Sequence, residues 1–534
     1  MERRVTTTAN NHKNSGKNHS KSNPATLDRV GYFKVVSPEE ISNIVRHARA
    51  AQEKWMSYSV KKRIKILKRA NKYITKNLEE IAHIISQETG KPKIESINAD
   101  IFSGISAAVY GLDEIKRIFK RRKINFGKLN ILLKLMGRSS YIAPRPIGVI
   151  GIISPWNYPF GIPYSQTILA VTAGNAVILK PSSETPFTGL KIQEIFDKSG
   201  FPEGIVQAVP GSGSTTGNAL IESNVDRIIF TGSVSVGKMV MEKAAQRLTP
   251  VTLELGGKDP FIICEDADLE RATKAAVWGA FLNSGQTCVG TKRIYVQEDI
   301  YDDFLELFKD KVESLTQGYG WEDPDVDVGP LINEKSLHEM EEHVSRAIAQ
   351  GGKILTGGKR NDDLRGYYFE PTVVTHANQD MDVVQEEIFG PIVVVLPYKT
   401  DEDAIRMAND SKFALSGAVW TTDIERGQQI AEQITSGTVD VNNVGYTYGL
   451  AATPWGGSGY SGFGRTHGEL GFHELMEPHH IHTDKQRFAN EFWWHPYSKE
   501  KLESSKMIFD VVFNKRWLKT PALMKKLLKI LRKD

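Results

Sequence analysis

The chain has 534 residues, 40% hydrophobic and 25% charged, which excludes disorder as its main state and leaves length for two or three domains with large cores. Its formal net charge of +4 is small for that length and sits mostly at one end, and no nucleic-acid partner is expected. The two cysteines, Cys264 and Cys288, are too few for a disulfide framework and fit a reducing, cytoplasmic setting in which a lone thiol can be chemical. Residues 1–22, rich in Asn, Lys, Ser and Thr without an apolar run, are expected to be a disordered leader rather than a secretory signal. No stretch approaches the ~20 continuous apolar residues of a membrane span.

From Ser37 to Ile118 apolar positions recur at helical spacing, as in Ile41, Ile44, Val45 and Ile64, Ile66, Leu67, and predict helices that cover a sheet. The sheet follows. Short β-branched runs at Val149–Ile153, Ala176–Leu179, Ile205–Val209, Arg227–Phe230 and Val251–Leu255 alternate with helical stretches. Such alternation predicts an α/β, doubly wound parallel sheet, which binds nucleotide at the carboxyl ends of its strands. Residues 23–125 and 147–255 are assigned to this dinucleotide-binding domain. A second α/β domain, the catalytic one, is expected over 256–441, with a helix near Asp268–Leu282 and strands at Ile294–Gln297 and Ile392–Leu396. The glycine-rich run from Pro454 to Gly459 is expected to be a loop.

Chemistry concentrates in three places. Cys288 lies in a polar turn, Asn283-Ser284-Gly285-Gln286-Thr287-Cys288, whose small residues leave a thiol accessible; a nucleophile there needs surroundings that lower its pKa from ~8.5. Cys264 ends an apolar run and is expected in the core. Glu254 occupies Val251-Thr252-Leu253-Glu254-Leu255 on the face opposite the apolar residues. At the end of a strand closed by Gly256-Gly257 it is equally a cleft-facing general base or a solvated edge glutamate. Gly232 to Gly237 lies between a strand and a helix, where backbone N–H groups and a helix N-terminus suit a pyrophosphate; Gly211, Gly213 and Gly217 suggest a second loop of that kind. Asn157, before Tyr-Pro, is by itself an ordinary turn residue. His479, His480 and His482 lack accompanying metal-type ligands, and no metal site is expected.

Taken in order, Pro155-Trp156-Asn157-Tyr158-Pro159, Phe230-Thr231-Gly232-Ser233, Leu253-Glu254-Leu255-Gly256-Gly257-Lys258, Gly285-Gln286-Thr287-Cys288, Glu387-Ile388-Phe389-Gly390-Pro391 and Ser461-Gly462-Phe463-Gly464-Arg465 resemble the aldehyde dehydrogenase superfamily over nearly the whole chain. The resemblance implies that Cys288 is the nucleophile, Glu254 the base that activates water and Asn157 the oxyanion donor. It implies NAD or NADP as cofactor, held by Ile153, Ser154, Pro155, Trp156, Lys180, Ser182, Ser183, Gly213, Gly217, Phe230, Thr231, Gly232, Ser233, Gly237, Leu255, Glu387 and Phe389. It also implies a homodimer or homotetramer built through a small β oligomerisation element at 126–146 and 470–490.

Two departures bear on function. NAD-preferring relatives usually carry glutamate where this chain has Ser183, with Glu184 one residue later, so NADP use stays open. Trp455 stands where relatives have a phenylalanine that helps wall the aldehyde site, which makes an apolar aldehyde the expectation; long-chain aldehydes are expected if the C-terminal extension meets a membrane. Thr466 and Gly459, where relatives have glutamate and lysine, are expected not to touch the catalytic set. The alternatives are a CoA-acylating enzyme, against which Glu254 argues, and a catalytically idle relative at a membrane surface. Finally, 491–534 is read as a C-terminal extension with a basic amphipathic helix. Residues 514–534 hold eight basic residues against one acid, a net +7 that leaves the rest of the chain at −3. At ~100° per residue, Leu523, Met524, Leu527, Leu528, Ile530 and Leu531 share one side of that helix. A peripheral membrane surface and the protein's own body are the two candidate partners for that side.

Overall fold

The computed structural model describes residues 18–127, 130, 133–134, 136–491, 493–514 and 520–532. The chain divides into two compact units, one formed by residues up to Ile118 with Pro146–Glu477, the other by Phe119–Arg145 with Pro478–Asp534.

The larger unit holds two main sheets. The first has six strands in the order Gly462–Phe463, Val251–Glu254, Arg227–Thr231, Val149–Ile153, Ala176–Lys180, Val206–Ala208. All neighbours are parallel except the first pair. Chain order runs outward from Val149–Ile153 in one direction and then, after Val206–Ala208, restarts on its other side at Arg227–Thr231. The topological switch therefore falls between Val149–Ile153 and Arg227–Thr231, and the crevice outside their carboxyl ends is where such sheets bind ligands. Val149–Ile153 and Ala176–Lys180 are buried at every position, as strands covered on both faces must be. Covering helices include Pro38–Met56, Val60–Lys76 and Phe102–Ile118, matching the helical periodicity of that stretch.

The second sheet has seven strands, Lys353–Thr356, Thr372–Thr375, Ile392–Tyr398, Thr291–Gln297, Asp259–Ile263, Ala418–Trp420 and Asp440–Val441, parallel but for the first pair. Alternate residues feed two cores: Ile262, Tyr295, Val394 and Val419 on one face, Phe261, Ile294, Val393 and Ala418 on the other. Cys264 is fully buried in the first of these.

The smaller unit contains a three-stranded sheet, Met476–Asp484, Arg138–Pro146 and Arg122–Lys123, followed by two helices, Lys499–Val512 and Thr520–Arg532.

Several expectations need correction. Residues 18–22 of the expected leader form the strand Asn18–Ser22, paired antiparallel with Arg29–Lys34; the remainder of that leader lies outside the described residues. The expected strand at Ile205–Val209 is trimmed to Val206–Ala208. Gly213–Gly217 is a turn of π-helix rather than an open loop, and Ser458–Gly459 makes a two-residue strand with Phe413–Ala414. Residues 468–475, partly inside the stretch expected to be β, are the helix Gly468–Leu475. On the apolar side of the C-terminal helix, Leu523 and Leu527 are turned inward and pack with Val511, Met507 and Ile508, and Ile530 is buried too. Lys515, Arg516, Lys519 and Lys533 of the basic run lie outside the described residues.

Candidate active site

Cys288 follows a tightly tied turn. Asn283, Ser284 and Gly285 all have positive φ (53°, 56° and 68°), a conformation that costs non-glycine residues on the order of 1 kcal/mol or more each. Buried hydrogen bonds hold it. Asn283 N donates to Glu95 Oε1 (3.0 Å), Ser284 Oγ to the Gly329 carbonyl (2.7 Å), and Gln286 bonds Asn283, Pro330 and Ile332 main-chain groups. Lys292 Nζ donates to the carbonyls of Gly285 and Gly390 (2.7 Å each) and so ties this turn to the Glu387–Pro391 segment.

Asn157 reaches the same turn from the end of Val149–Ile153. Its Nδ2 donates to the Gln286 carbonyl (3.1 Å), which occupies one of the two N–H groups and leaves the second for another acceptor. Its own carbonyl accepts from Lys91 Nζ (2.6 Å) and Asn283 Nδ2 (3.0 Å). Lys91 is paired in turn with buried Asp100 (3.1 Å). Glu254 arrives from the end of Val251–Glu254, two strands away in the same sheet. A Cβ on Gly257, three residues on, would lie 2.3 Å from the Cys288 carbonyl oxygen; only glycine lets the Leu-Glu-Leu-Gly-Gly turn pass so close to the cysteine.

The thiol is accessible as expected, but its surroundings do not lower its pKa. Burial, and then the carboxyl groups of Asp259, Glu254 and Glu387, push the Cys288 thiol upward. Its Sγ keeps its proton in the unliganded enzyme near neutral pH. Glu254 is only 5% exposed, so the solvated-edge alternative is excluded. Burial pushes it up to about 8, against the opposing pull of Arg465 and a 3.4 Å hydrogen bond from Thr466 Oγ1. The departure at position 466, expected to lie away from the catalytic set, instead touches the base itself.

Partly exposed Cys288 opens into a cavity of ≈840 Å³. Its wall is mainly apolar and aromatic, including Phe102, Ile162, Val277, Trp278, Phe281, Leu315, Val444, Tyr446 and Tyr448, with Glu95, Lys274 and Asp327 its charged members and no arginine. Trp455 does not reach this wall. It is buried behind Tyr448, edge-on to that ring at 5.0 Å between centroids, and so shapes the cavity only at second hand.

The residues expected to hold a dinucleotide surround the switch point. Ile153, Ser154, Pro155 and Trp156 follow one central strand, and Phe230, Thr231, Gly232 and Ser233 close the other and open the helix Val234–Ala245. That helix start carries no acidic residue and no side-chain cap, so its first N–H groups are open to an anion. Gly237 lets the helix press on Leu255, to whose Cδ2 an added Cβ would come within 2.6 Å. Lys180, buried and lowered to about 8, donates to the Pro181 carbonyl (2.9 Å), leaving N–H capacity for a ligand. A Cβ added at Gly217 would meet its methylenes at 3.6 Å, whereas one at Gly213 would face open space. Trp156 and Phe389 stand edge to face at 5.5 Å, and Glu387 accepts from Gly257 N (3.2 Å). Ser182 and Ser183 follow Lys180, Ser183 exposed. Glu184 is not free to replace the missing glutamate: its carboxylate accepts from Lys21 Nζ (2.7 Å) and Asn333 Nδ2 (3.1 Å). This set of open N–H groups, a buried lysine and flanking aromatic rings fits a dinucleotide.

Sequence reasoning passed over the frame of the site, namely Lys91, Glu95, Asp100 and Lys292. The only sequence signal was charge inside otherwise apolar or glycine-rich stretches. Among the described residues, no group of three or more His, Cys, Asp or Glu is arranged to hold a metal.

A family model described as "Aldehyde dehydrogenase family" matches residues 11–481. The 4,4'-diapolycopene aldehyde oxidase of Methylomonas sp is 35% identical over 91% of this chain and 89% of that protein. Among solved structures, the NAD+ complex of an aldehyde dehydrogenase from Bacillus cereus superposes with a TM-score of 0.83 at 32% identity, covering 88% of this chain and 94% of that one. An E. coli NADP dependent enzyme matches with the same TM-score and identity over 88% and 95%. With these motifs joined around one thiol beside a dinucleotide crevice, the chain belongs to the aldehyde dehydrogenase family of NAD(P)-dependent enzymes.

Proposed function

We propose that the protein oxidises an apolar, long-chain aldehyde to its carboxylic acid through covalent attachment to Cys288. The observation that carries this is the junction of three motifs at one turn: Asn157 bonded to the Gln286 carbonyl, and Gly257 against the Cys288 carbonyl at the end of the strand bearing Glu254. Cys288 Sγ attacks the carbonyl carbon as its S–H proton passes to water in the cavity, which leaves the thiohemiacetal oxyanion. The oxyanion is held by the free Asn157 N–H together with main-chain N–H, at roughly 3–4 kcal/mol per well-placed donor. When bound, the dinucleotide supplies the hydride acceptor for this adduct. The resulting thioester is hydrolysed by water whose proton passes to the Glu254 carboxylate, and collapse of the second tetrahedral adduct expels the thiolate.

Glu254, raised to about 8, is mostly neutral at pH 7. It becomes an effective base as pH rises. The apolar wall, whose one cation, Lys274, is already paired with Glu270 (3.0 Å), favours chains without a carboxylate. Ser183, with Glu184 tied to Lys21, favours tolerance of the 2′-phosphate of NADP as well as NAD. A homodimer or homotetramer in a reducing, cytoplasmic setting completes the proposal.

The test is a panel of short, aromatic, long-chain and carboxylate-bearing aldehydes with NAD+ or NADP+, with and without CoA. The expected result is the highest kcat/KM for long apolar aldehydes and no stimulation by CoA. Preference for a carboxylate-bearing aldehyde would overturn the substrate assignment, and a requirement for CoA would make the enzyme acylating.

A further inference from the structure

The first two strands of the cofactor sheet, Val149–Ile153 and Ala176–Lys180, run parallel and side by side. In such a sheet the residues just past the second strand read the 2′-position of the adenosine ribose, where a carboxylate accepts the hydroxyl and repels a 2′-phosphate. Here that place is a tight turn over residues 182–185, closed by Thr185 N on the Ser182 carbonyl (3.1 Å) and by Glu184 N on Ser182 Oγ (3.2 Å). Ser183 is its exposed tip and Glu184 its one carboxylate. The helix that follows, Pro186–Ser199, has its first N–H groups already filled. Fully buried Glu88 accepts from Phe187 N (2.7 Å), Thr188 N (2.8 Å) and Thr188 Oγ1 (2.6 Å). The choice between the two dinucleotides falls to the turn and to whatever holds its carboxylate.

Two segments distant in sequence hold it. Glu184 Oε2 accepts from Lys21 Nζ (2.7 Å) and Oε1 from Asn333 Nδ2 (3.1 Å). Asn333 is fixed in turn, because its Oδ1 accepts from Ser336 N (3.0 Å) and caps the helix Glu334–Ala349. Lys21 is only 8% exposed. It is delivered by the hairpin of Asn18–Ser22 with Arg29–Lys34, which seats on the start of the helix that follows the turn. Phe33 stands edge-on to Phe187 at 6.1 Å, and an added Cβ on Gly31, opposite Lys21 in the register, would come within 2.9 Å of Phe187 Cζ. Removing one partner of such a shielded pair leaves the other charge uncompensated, and Glu184 then has solvent to gain only at the exposed tip beside Ser183. We propose that Lys21 is a specificity-determining residue for the cofactor, acting through Glu184: it holds the carboxylate away from the ribose, and without it Glu184 becomes the group that excludes NADP. This rests on the reading that the enzyme accepts both dinucleotides, and it makes the N-terminal hairpin the part of the fold that sets that tolerance.

Calorimetric titration of the full-length protein with NAD+ and with NADP+, in the absence of aldehyde, provides the test. The proteins compared are the parent, Lys21→Met, Lys21→Arg and Lys21→Met/Glu184→Gln. The parent is expected to bind both dinucleotides. Lys21→Met should raise the Kd for NADP+ relative to that for NAD+ by about tenfold, and Lys21→Arg should keep the parental ratio. The double variant should return to that ratio, since it has no carboxylate to release, and the NAD/NADP ratio of kcat/KM should follow the same order. A Lys21→Met ratio equal to the parent's, or a loss of both dinucleotides together, overturns the proposal. A double variant that keeps the shifted ratio overturns it too, and assigns the effect to the lysine's own charge. A parent that binds NAD+ alone refutes instead the reading of dual tolerance, and the proposal with it.

Discussion

Glu254 offers the sharpest quantitative prediction, because its environment sets the pH at which it can act. Burial raises it to about 8, and only Arg465 and the long Thr466 hydrogen bond oppose that. With the ionised form as the base, the active fraction is lost as pH falls through the raised value. For a pKa of about 8 the fraction climbs from about 0.09 at pH 7 to about 0.9 at pH 9, so a deacylation-limited kcat should rise about tenfold over that range. Thr466→Val removes the bond from Thr466 Oγ1 while conserving shape. A charge-assisted bond of ordinary length contributes about 1.5–3 kcal/mol, and at this length roughly 0.5 kcal/mol is reasonable, moving the midpoint up by about 0.4 pH unit. The assay is steady-state kcat against pH at saturating aldehyde and cofactor, beside the amplitude of the pre-steady-state burst of reduced cofactor. A midpoint at or below about 6, or a Thr466→Val midpoint that moves downward, would refute the assignment of burial as the controlling influence on this base.

Cys288→Ala should abolish oxidation while leaving NAD(P)+ affinity, measured by calorimetry, nearly unchanged, because the dinucleotide residues lie on other segments. Ser183→Glu should shift the NAD/NADP ratio of kcat/KM toward NAD by at least about tenfold through repulsion of the 2′-phosphate. Glu184→Gln should leave that ratio alone, since Glu184 is already engaged by Lys21 and Asn333; the opposite pattern would exchange their roles. Gly257→Ala places a methyl 2.3 Å from the Cys288 carbonyl oxygen and should lower kcat by about a hundredfold or more with little change in circular dichroism, a loss that normal turnover would contradict. Glu254→Gln should also be relatively stabilised at high pH. A carboxyl raised in the folded state binds its proton more tightly there, so folding loses stability as pH climbs from about 4.5 toward about 8, by at most roughly 5 kcal/mol. Thermal melts at pH 6 and pH 9 read this as a gap in Tm that opens in favour of the variant at the higher pH.

Much of the cofactor sheet was legible in the sequence because its strands are short β-branched runs between helices, and burial on both faces writes itself as uninterrupted apolar residues, as at Val149–Ile153. Motif order also brought Cys288, Glu254 and Asn157 forward as candidates. What periodicity could not carry was long-range polar bonding. Nothing local in Lys91 or Glu95 announces that one supports the Asn157 carbonyl and the other the strained Asn283. Lys21 was misjudged with its polar neighbours for the same reason: composition alone marks Asn18–Ser22 as solvated, yet strand pairing and the ion pair to Glu184 hold it. Small polar neighbours suggested an accessible thiol, which Cys288 is, but the carboxyl groups that gather around it come from segments distant in sequence. Helical projection put Leu523 and Leu527 on one side of the final helix, but it could not say that the preceding helix covers them.

The covalent route through Cys288 is tested most directly by trapping. Glu254→Gln enzyme is mixed with NAD(P)+ and a long-chain aldehyde, quenched in acid after the burst, and examined by intact-protein and peptide mass spectrometry. The account predicts one acyl group per subunit as a thioester on the peptide containing Cys288, in amount equal to the burst of reduced cofactor. A full burst without an acyl group on Cys288, or an acyl group on another residue, would contradict it.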